Sequence, residues 1–585
     1  MNITLRKSTL AALIAGVVLP LGAQASEADL LKRIDAMAKE IELLRSQVQA
    51  NSQGAAKANE ELKAEVQKVA DKSTGRWLTI GGDYQFRVDS MKGETKPFID
   101  VNALFSSIQT DLNYGMMMGD PAAVPMIAGM MSFQKDMANV KTIQDTGAFF
   151  VKNGAMAGAL MGIAQNPLYP ERERFIQAAY KPKNDTLYTN RFNLDLYGKA
   201  TQDVSVTAKL SMYKVWGSQN EGALTNAGNA PFFADRVGVF DGTLGRVPSN
   251  SYLNVDRVYA TWSNIADQDM WFSVGRRPST QGAPSNLKLN NPRPGNGGTP
   301  ALLVDYAFDG MTFGYAPDID SLPGAYGKVC YGRGFESGYM DTPNNSLKDT
   351  DMVGIALVPI DTDAMRLWLQ WNRGMNIFDA PVMNNTYFGN TAVKSNLGNI
   401  DWYGIGVMGT VKNVGAGDLQ YFADLGASVT HPNNNVSAQF GFQGLLTGGF
   451  FQPEPPADKT GGALWAGVRY DLPSKTKIGF EYNHGSKNWI TFAPASGDMW
   501  TTKAGTRGDV YEAYVIQELN LKPISSNQAK TFVRFGIQVY DFEYTGSNNW
   551  VGAPVKISDV NGMNMMTTTP LSKAFNAYAT AEVKF

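Results

Sequence analysis

The sequence contains very little cysteine, histidine and charge for its length. Among 585 residues there are one cysteine and two histidines, and charged residues make up 18%. Cys330 alone cannot form an intramolecular disulfide, complete a zinc site or attach a c-type haem, which needs two thiols. The 52 basic residues nearly balance the 54 acidic ones, which argues against a nucleic-acid partner and against polybasic lipid attachment. We expect no cofactor and no bound metal.

Long apolar runs are also missing, apart from one near the start. Residues 10–21 are apolar, follow Arg6 and Lys7, and precede the small-x-small site Ala23-Gln24-Ala25. This pattern is typical of a secretory signal peptide, so we predict a signal peptide over 1–25. Because this run has only twelve residues and no run of eighteen apolar residues occurs elsewhere, we expect no membrane-spanning helix.

The last residues alternate strictly between apolar and polar. Apolar side chains occupy every second position from Phe575 to Phe585, and Asn576, Tyr578, Thr580, Glu582 and Lys584 lie between them. On a strand, this alternation gives one apolar and one polar face. A terminal aromatic on such a strand is typical of the closing strand of an outer-membrane barrel, with lipid outside and water inside. The pattern also resembles the C-terminal signal that porins present to the barrel-assembly machinery, and this resemblance implies that the machinery recognises the strand.

Residues 26–76 have a different pattern. Leu30, Ile34, Met37, Ile41, Leu44 and Val48 recur at steps of three and four, and the seam resumes at Leu62 after a stutter. Such a narrow apolar seam predicts a helical coiled coil in the periplasm that serves self-association rather than packing on its own barrel. The mixture of Ile and Leu leaves the oligomeric state open. The chain resembles porins that carry such a periplasmic segment, and because porins are commonly trimers the resemblance implies a homotrimer.

From Trp77 onward, strands, long loops and short turns alternate. Clear strands are 192–200, 204–212, 365–371, 478–482 and 533–539. Seven short connections have turn composition: 201–203, 263–269, 309–310, 361–363, 413–418, 474–476 and 525–528. With eight longer loops they predict a transmembrane antiparallel barrel of sixteen strands over 77–585, although fourteen or eighteen would also fit. Tryptophans near the strand ends, including Trp489, Trp500 and Trp550, are expected to form girdles at the membrane interfaces.

Charged residues between the apolar positions of the strands should face water. A charge on the lipid side would cost about 2 to 4 kcal/mol at the membrane midplane. The side chains predicted to face the lumen are Arg87, Lys199, Lys209, Arg366, Glu481 and Arg534.

Two stretches resemble known families. The segments 257–262 (RVYATW) and 272–278 (FSVGRRP) resemble the strands that precede loop three in the general bacterial porin superfamily. The run from Trp465 to Trp550, with 468–471 (VRYD), 482–486 (YNHGS) and 540–546 (YDFEYTG), resembles an uncharacterised porin-like outer-membrane family, a domain of unknown function. The resemblance implies a porin barrel and assigns no substrate.

The porin resemblance implies that loop three, about 278–300, folds inward as a constriction. Arg276, Arg277, Lys288 and Arg293 lie in or beside this loop, and no acidic residue occurs between Gln281 and Pro300. A basic constriction would favour anions. The alternative is an ordinary surface loop.

Residues 91–188 form a loop insertion far beyond ordinary length. Ten methionines, including the run Met116-Met117-Met118, occur here among Gly, Ala and Phe, and the segment 124–140 has a helical pattern. Thioethers can bind Cu(I), but methionine is also a packing residue, and we favour packing. The insertion could plug the lumen, cap it or contact another protomer.

We therefore expect a passive outer-membrane porin rather than an enzyme. One alternative is a lipid hydrolase that uses His484 as base and Ser486 as nucleophile on the lipid-facing wall, as in outer-membrane phospholipases. Against it, Lys487 follows the serine and the sequence shows no third orienting group. A further alternative is a barrel that encloses an extracellular electron-transfer cytochrome.

Overall fold

The computed structural model describes residues 77–166, 172–217, 248, 251–278, 282–293, 302–339, 347–380, 383–386, 389–493, 497–525, 529–567 and 569–585. Before residue 77 it describes four helical positions, Asp35, Ala36, Lys39 and Glu42. The predicted signal peptide (1–25) and coiled coil (26–76) otherwise lie outside the described residues.

Sixteen antiparallel strands form a closed barrel. Each strand pairs with its neighbours in sequence, and β1 pairs with β16 to close the ring. The predicted sixteen-stranded fold is therefore confirmed. The strands are β1 Leu78–Thr95, β2 Lys183–Lys199, β3 Val204–Val215, β4 Asn254–Ser263, β5 Met270–Pro278, β6 Ala307–Tyr315, β7 Tyr326–Phe335, β8 Thr350–Asp361, β9 Arg366–Phe378, β10 Asn396–Val414, β11 Gly417–Pro432, β12 Lys459–Asp471, β13 Thr476–Gly485, β14 Gly508–Glu518, β15 Lys530–Phe542 and β16 Leu571–Lys584.

The two faces of the barrel wall differ in chemistry. Outward positions carry exposed apolar side chains, such as Phe313, Phe480 and Phe535. The inward positions of β16 include Asn576 and Glu582, which are buried inside the barrel. The alternation seen in the last residues of the sequence therefore places apolar side chains outside and polar ones inside, as a membrane-spanning wall requires.

Seven short connections lie at one end of the barrel, called the turn end, and eight longer ones lie at the other, the loop end. Six of the seven predicted turns coincide with short connections in the structure. The prediction of a turn at Asp309-Gly310 is wrong, because both residues lie within β6, and the connection to β7 is 316–325. Gly310 serves close packing instead: a Cβ there would lie 2.0 Å from the Tyr331 carbonyl oxygen. Glycine thus marks close strand approach here and not a turn.

The long insertion is helical. The insertion spans 96–182, because β1 continues to Thr95 and β2 begins at Lys183. It is therefore shorter than the predicted range of 91–188. It contains α1 Val101–Met117, α2 Ala123–Asn139 and α3 Ile143–Gln165. Thr142 and Asp145 form a capping box that begins α3. By length and composition alone, α3 could cross a bilayer, which differs from the expectation of no such helix.

The three helices, named the helical cap, pack on the loop between β11 and β12. Phe442, Phe450 and Phe451 of that loop are buried against helix residues that include Phe133 and Phe149. The Phe133 and Phe451 rings meet edge to face with centroids 5.9 Å apart. Met130 is buried in this cluster, with Met137 and Met156 packed against it, as the packing interpretation expects. Met116, Met117 and Met118 are exposed.

Replacing Phe133 with alanine is expected to loosen the helical cap by about 3 to 5 kcal/mol, because a fully buried aromatic is lost from a packed cluster. Met131→Ala, on the exposed side of the same helix, is the matched control and should change little. Limited proteolysis between 101 and 165 would measure the difference. Equal cleavage rates for both variants would show that the aromatic cluster does not hold the cap.

Candidate functional site

Four loop-end connections fold into the barrel. They are the described parts of the β5–β6, β11–β12, β13–β14 and β15–β16 loops, together named the plug. Leu303, Leu446, Phe492 and Trp550, one from each loop, share a buried apolar cluster with the inward-facing wall residue Trp402. The Trp402 indole donates to the Ile490 carbonyl at 2.9 Å. The plug therefore packs directly on the inner wall.

A buried ion cluster fixes two plug loops to the wall. Lys288 of the β5–β6 loop lies 2.7 Å from Glu512 and 3.1 Å from Asp498. Lys503 of the β13–β14 loop pairs with Glu481 and lies 2.5 Å from Glu512. All five side chains are nearly inaccessible to solvent. This ion cluster holds charged groups where an unpaired charge would be strongly destabilising.

The two lysines of the ion cluster are held in their charged form. Burial would lower the pKa of Lys288, but Asp498 and Glu512 raise it above the ordinary lysine value. Burial opposes the charge on Lys503 in the same way, and Glu481 and Glu512 raise its pKa. The carboxylates therefore outweigh the desolvation of both ammonium groups.

The β5–β6 loop crosses the lumen near the turn end. The Asn290 side-chain amide donates to Glu518 at the end of β14. The Lys584 ammonium donates to the Leu289 carbonyl at 2.7 Å. On the other side, Arg293 pairs with Asp361 and, at 3.1 Å, with Asp363, at the β8–β9 turn. These contacts place residues 288–293 across the channel.

The four residues predicted to form a basic constriction have different environments. Lys288 lies in the ion cluster and Arg293 pairs with two aspartates. Arg276 donates to the Asp256 carbonyl and lies 3.6 Å from Asp309. Arg277 faces the lumen, and its Nε donates to the Ser273 hydroxyl at 3.0 Å. Three of the four cations, Arg276, Lys288 and Arg293, therefore lie near carboxylates, whereas Arg277 contacts a neutral hydroxyl.

The six predicted lumen-facing residues also divide into two groups. Arg87, Arg366, Glu481 and Arg534 are buried beneath the plug or in paired contacts. Arg87 forms an ion pair with Asp89 at 2.6 Å, and Arg534 pairs with Glu582 at 2.7 Å. Lys199 and Lys209 lie toward the turn end of the β2–β3 wall, where inward side chains are only partly covered or exposed, whereas Thr189, Asn193, Ser211 and Tyr213 nearer the loop end are buried. The uncovered part of the lumen therefore lies on this side.

A polar cavity of about 370 Å³ lies in the lumen beside β4, β5 and β7. It reaches from the turn residues Asn264 and Asp269 to Arg277 and Pro278 at the end of β5. Lys328 of β7 also lines it, together with the polar side chains of Tyr259, Thr261 and Ser273. The cavity combines two cations with several hydroxyl groups.

Arg507 is an important buried residue that the sequence did not suggest. It lies in the β13–β14 loop, and its guanidinium donates to four carbonyls: those of Trp489, Thr545, Gly546 and Asn549, at 2.6 to 3.1 Å. It thereby ties two plug loops together. Its position just before β14 gave no signal, because the carbonyls come from residues up to 42 positions away.

The proposed hydrolase pair is not assembled in the part of the chain that the structure describes. His484 lies on the outward face, as predicted, and its Nδ1 lies 2.9 Å from Asp509 Oδ1, so an orienting carboxylate is present. However, the Ser486 hydroxyl accepts a hydrogen bond from the Gly462 amide at 2.8 Å. The histidine therefore contacts Asp509 and not the serine it would have to activate.

These features define a sixteen-stranded transmembrane barrel with an apolar outer wall, a loop plug and a partly open polar lumen. Residues 181–585 match the family described as "Protein of unknown function (DUF3373)". The chain belongs to this family. No curated protein matches the sequence.

Among solved structures, the chain is similar to several barrels at low identity. OmpT, an outer membrane protein of Vibrio cholerae in a trimer form, is 10% identical, with 87% of this chain and 100% of that chain covered and a TM-score of 0.35. Salmonella typhi OmpF in complex with daunomycin is 6% identical, with 87% and 97% covered and a TM-score of 0.38. An anion-selective porin from Comamonas acidovorans is 10% identical, with 87% and 99% covered and a TM-score of 0.37.

Proposed function

We propose that the protein is an outer-membrane porin that allows passive diffusion of small hydrophilic solutes or ions, with a preference for anions. The observation that carries this proposal is the partly open lumen beside β2, β3 and β4, from the turn end to the middle of these strands, where Lys209 and Arg257 face inward and are incompletely covered. A polar channel inside an apolar wall permits passage of hydrated solutes without an energy source.

The plug restricts the channel and supports selectivity rather than bulk flow. Loops fill the side of the lumen bounded by β9 to β16, as the buried inward residues Arg366, Glu481 and Arg534 indicate. The route that remains passes Lys209 of β3 and Arg257 of β4, which have the carboxylates of Asp195 and Asp256 close to them. A narrow passage between low-dielectric walls concentrates the electric field of the charged side chains that line it, and it favours ions whose charge is opposite to that of the lining.

The two alternatives have less support. A barrel that encloses a cytochrome needs room for a folded domain, and in the described chain the plug occupies that space with its own apolar cluster. A lipid hydrolase needs contact between His484 and Ser486, whereas the serine hydroxyl pairs with Gly462. Porin function requires neither rearrangement.

The proposal includes a location and partners. We place the barrel in the bacterial outer membrane, with the 26–76 segment in the periplasm and the turn end of the barrel facing the periplasm. Insertion would use the barrel-assembly machinery, which recognises the strand that ends at Phe585, and the coiled coil would join three chains. Surrounding lipid would contact the outward side chains, such as Phe480 and Phe535.

Purified protein in a planar bilayer is expected to give stepwise conductance in potassium chloride. Under a salt gradient, the reversal potential should have the sign of chloride permeation, because the open side of the lumen carries the cations. Protein denatured by heat serves as the control. Repeated failure to obtain steps from folded barrels would contradict porin function, and a potassium-selective reversal potential would contradict only the anion preference.

A further inference from the structure

The polar cavity beside β4, β5 and β7 also has an aromatic surface. Trp271 of β5 lines the cavity, and it pairs in register with Gly314 of the neighbouring strand β6. A Cβ at position 314 would lie 2.0, 2.3 and 2.4 Å from three adjacent carbons of the six-membered indole ring. These nearly equal distances place Gly314 beneath the face of the ring and not at its edge. The opposite face of the indole is therefore directed away from the wall, into the lumen.

The indole is held in this orientation by its neighbours. Trp271 packs against the large apolar cluster that the plug forms with the wall. The rings of Trp271 and Tyr326 meet edge to face, with centroids 6.1 Å apart. Because any side chain at position 314 would enter the ring, glycine there allows the indole to lie flat. The electron-rich face of a fixed indole is a surface on which the C–H groups of a sugar ring can stack.

The polar part of the lining offers both donors and acceptors. Thr261 and Ser273 pair in register across β4 and β5, and their hydroxyls line the cavity. The Asn264 side-chain nitrogen donates to Asp203 at 2.7 Å, so its side-chain oxygen can act as an acceptor. The Asp269 carboxylate is a second acceptor at the same end of the cavity. A sugar hydroxyl can both donate and accept hydrogen bonds, so it can use both kinds of group.

The cavity is small and elongated. Its volume of about 370 Å³ is near the lower end of the range for ligand sites, about 300 to 1,000 Å³. Trp271, near the turn, and Arg277, near the end of β5, both line it. They are six residues apart, which is about 20 Å along a strand. A chain of a few sugar rings suits this shape better than a compact ion does.

We propose that this cavity binds a short neutral saccharide, with one ring stacked on Trp271 and with hydroxyls bonded to Thr261, Ser273 and Asp269. The site deepens the proposed function by naming a class of small hydrophilic solute, and it rests on that function for the route by which the sugar arrives. A small inorganic anion is a poorer ligand, because it would not use the indole face and because the Asp269 carboxylate would repel it.

The test is ligand-observed NMR on the purified full-length protein in detergent, in which saturation passes from the protein to a bound sugar. The probes are glucose, maltose, maltotriose, sucrose and lactose. The wild type should bind at least one of them. The strongest saturation should fall on the ring C–H protons of the sugar, because these protons would contact the indole face.

The variants separate the site from general effects on the barrel. Trp271→Leu removes the aromatic face and should weaken binding about three- to tenfold, whereas Trp271→Phe, which keeps a smaller ring, should weaken it less. Thr261→Val removes one hydroxyl at nearly constant volume and should weaken binding about fivefold. Trp262→Leu is the matched control, because Trp262 lies on the outward face of β4 and is half exposed. It should leave the affinity unchanged.

Two outcomes would overturn the site: no binding of any of the five sugars to the wild type, or equal affinity in the wild type and in Trp271→Leu, with unheated gels showing that both are folded. Because NMR needs no current, the site and the pore can fail separately. A protein that binds sugar but gives neither conductance nor sugar-driven swelling of liposomes would refute the porin proposal and leave the site in place. A protein that conducts and binds none of the sugars would refute only the site.

Discussion

Replacing Lys503 with methionine is expected to lower the free energy of unfolding by about 3 to 5 kcal/mol, the usual range when one partner of a buried ion pair is removed. Lys503 pairs with Glu481 and with Glu512, and all three side chains are buried. Methionine retains most of the volume but removes the charge. Three carboxylates would then share the single cation Lys288 inside the barrel.

The measurement is the midpoint of thermal unfolding, followed by the shift between folded and unfolded bands on unheated gels. Lys487→Met, in the same loop but exposed, is the matched control. Its unfolding midpoint should differ only slightly from that of the wild type, as is usual when an exposed charge is removed. A Lys503→Met midpoint equal to that of the control would show that the ion cluster does not stabilise the barrel.

The pH dependence gives a second readout of the same substitution. The pKa of Lys503 is raised in the folded protein above the ordinary value of 10.5, because Glu481 and Glu512 outweigh burial. A raised pKa means that the folded state binds the proton more tightly. The stabilisation is therefore complete below pH 10.5 and is lost as the pH rises through the raised value. Lys503→Met should lack this part of the alkaline loss.

Arg507→Met should destabilise the plug by about 4 kcal/mol or more, because it leaves buried carbonyl groups without donors. The guanidinium serves Trp489 in its own loop and Thr545, Gly546 and Asn549 in the β15–β16 loop. Its removal should release the second loop first. Cleavage by a protease between 543 and 567 should accelerate together with a lower unfolding midpoint.

Arg507→Lys is the graded comparison for this prediction. A lysine keeps the charge but cannot reach four carbonyls from two loops with one nitrogen, so its effect should lie between those of the wild type and Arg507→Met. If both variants are cleaved as slowly as the wild type, the β15–β16 loop must be held by its other contacts, such as the Trp550 indole donating to the Phe378 carbonyl.

The wall of the barrel could be predicted because its signal is local. The alternation from Phe575 to Phe585 depends only on the two-residue period of a strand, and the structure places Asn576 inward as expected. Short turns were found for the same reason. The prediction of a turn at Asp309-Gly310 was wrong because glycine also occurs where two strands approach closely. Composition alone does not distinguish such a glycine from one in a turn.

The lumen could not be predicted, because its contacts join residues distant in sequence. Trp489, Trp500 and Trp550 were expected in interface girdles, and instead all three are buried inside the barrel. Lys288 was correctly associated with the lumen, but its partners Asp498 and Glu512 lie more than 200 residues away. No local pattern identifies which carboxylate a loop lysine meets. The net charge of a constriction therefore cannot be read from the loop alone.

Closure of the wall by the first and last strands constrains the order of biogenesis. Val88 pairs with Ala579, so the ring stays open until nearly the whole polypeptide has been delivered. The loss of conformational entropy on joining residues so far apart in sequence therefore occurs late in folding. Lys584, on the last strand, bonds to the Leu289 carbonyl of the β5–β6 loop. This contact between the loop and the seam can therefore form only after the last strand has been added to the wall.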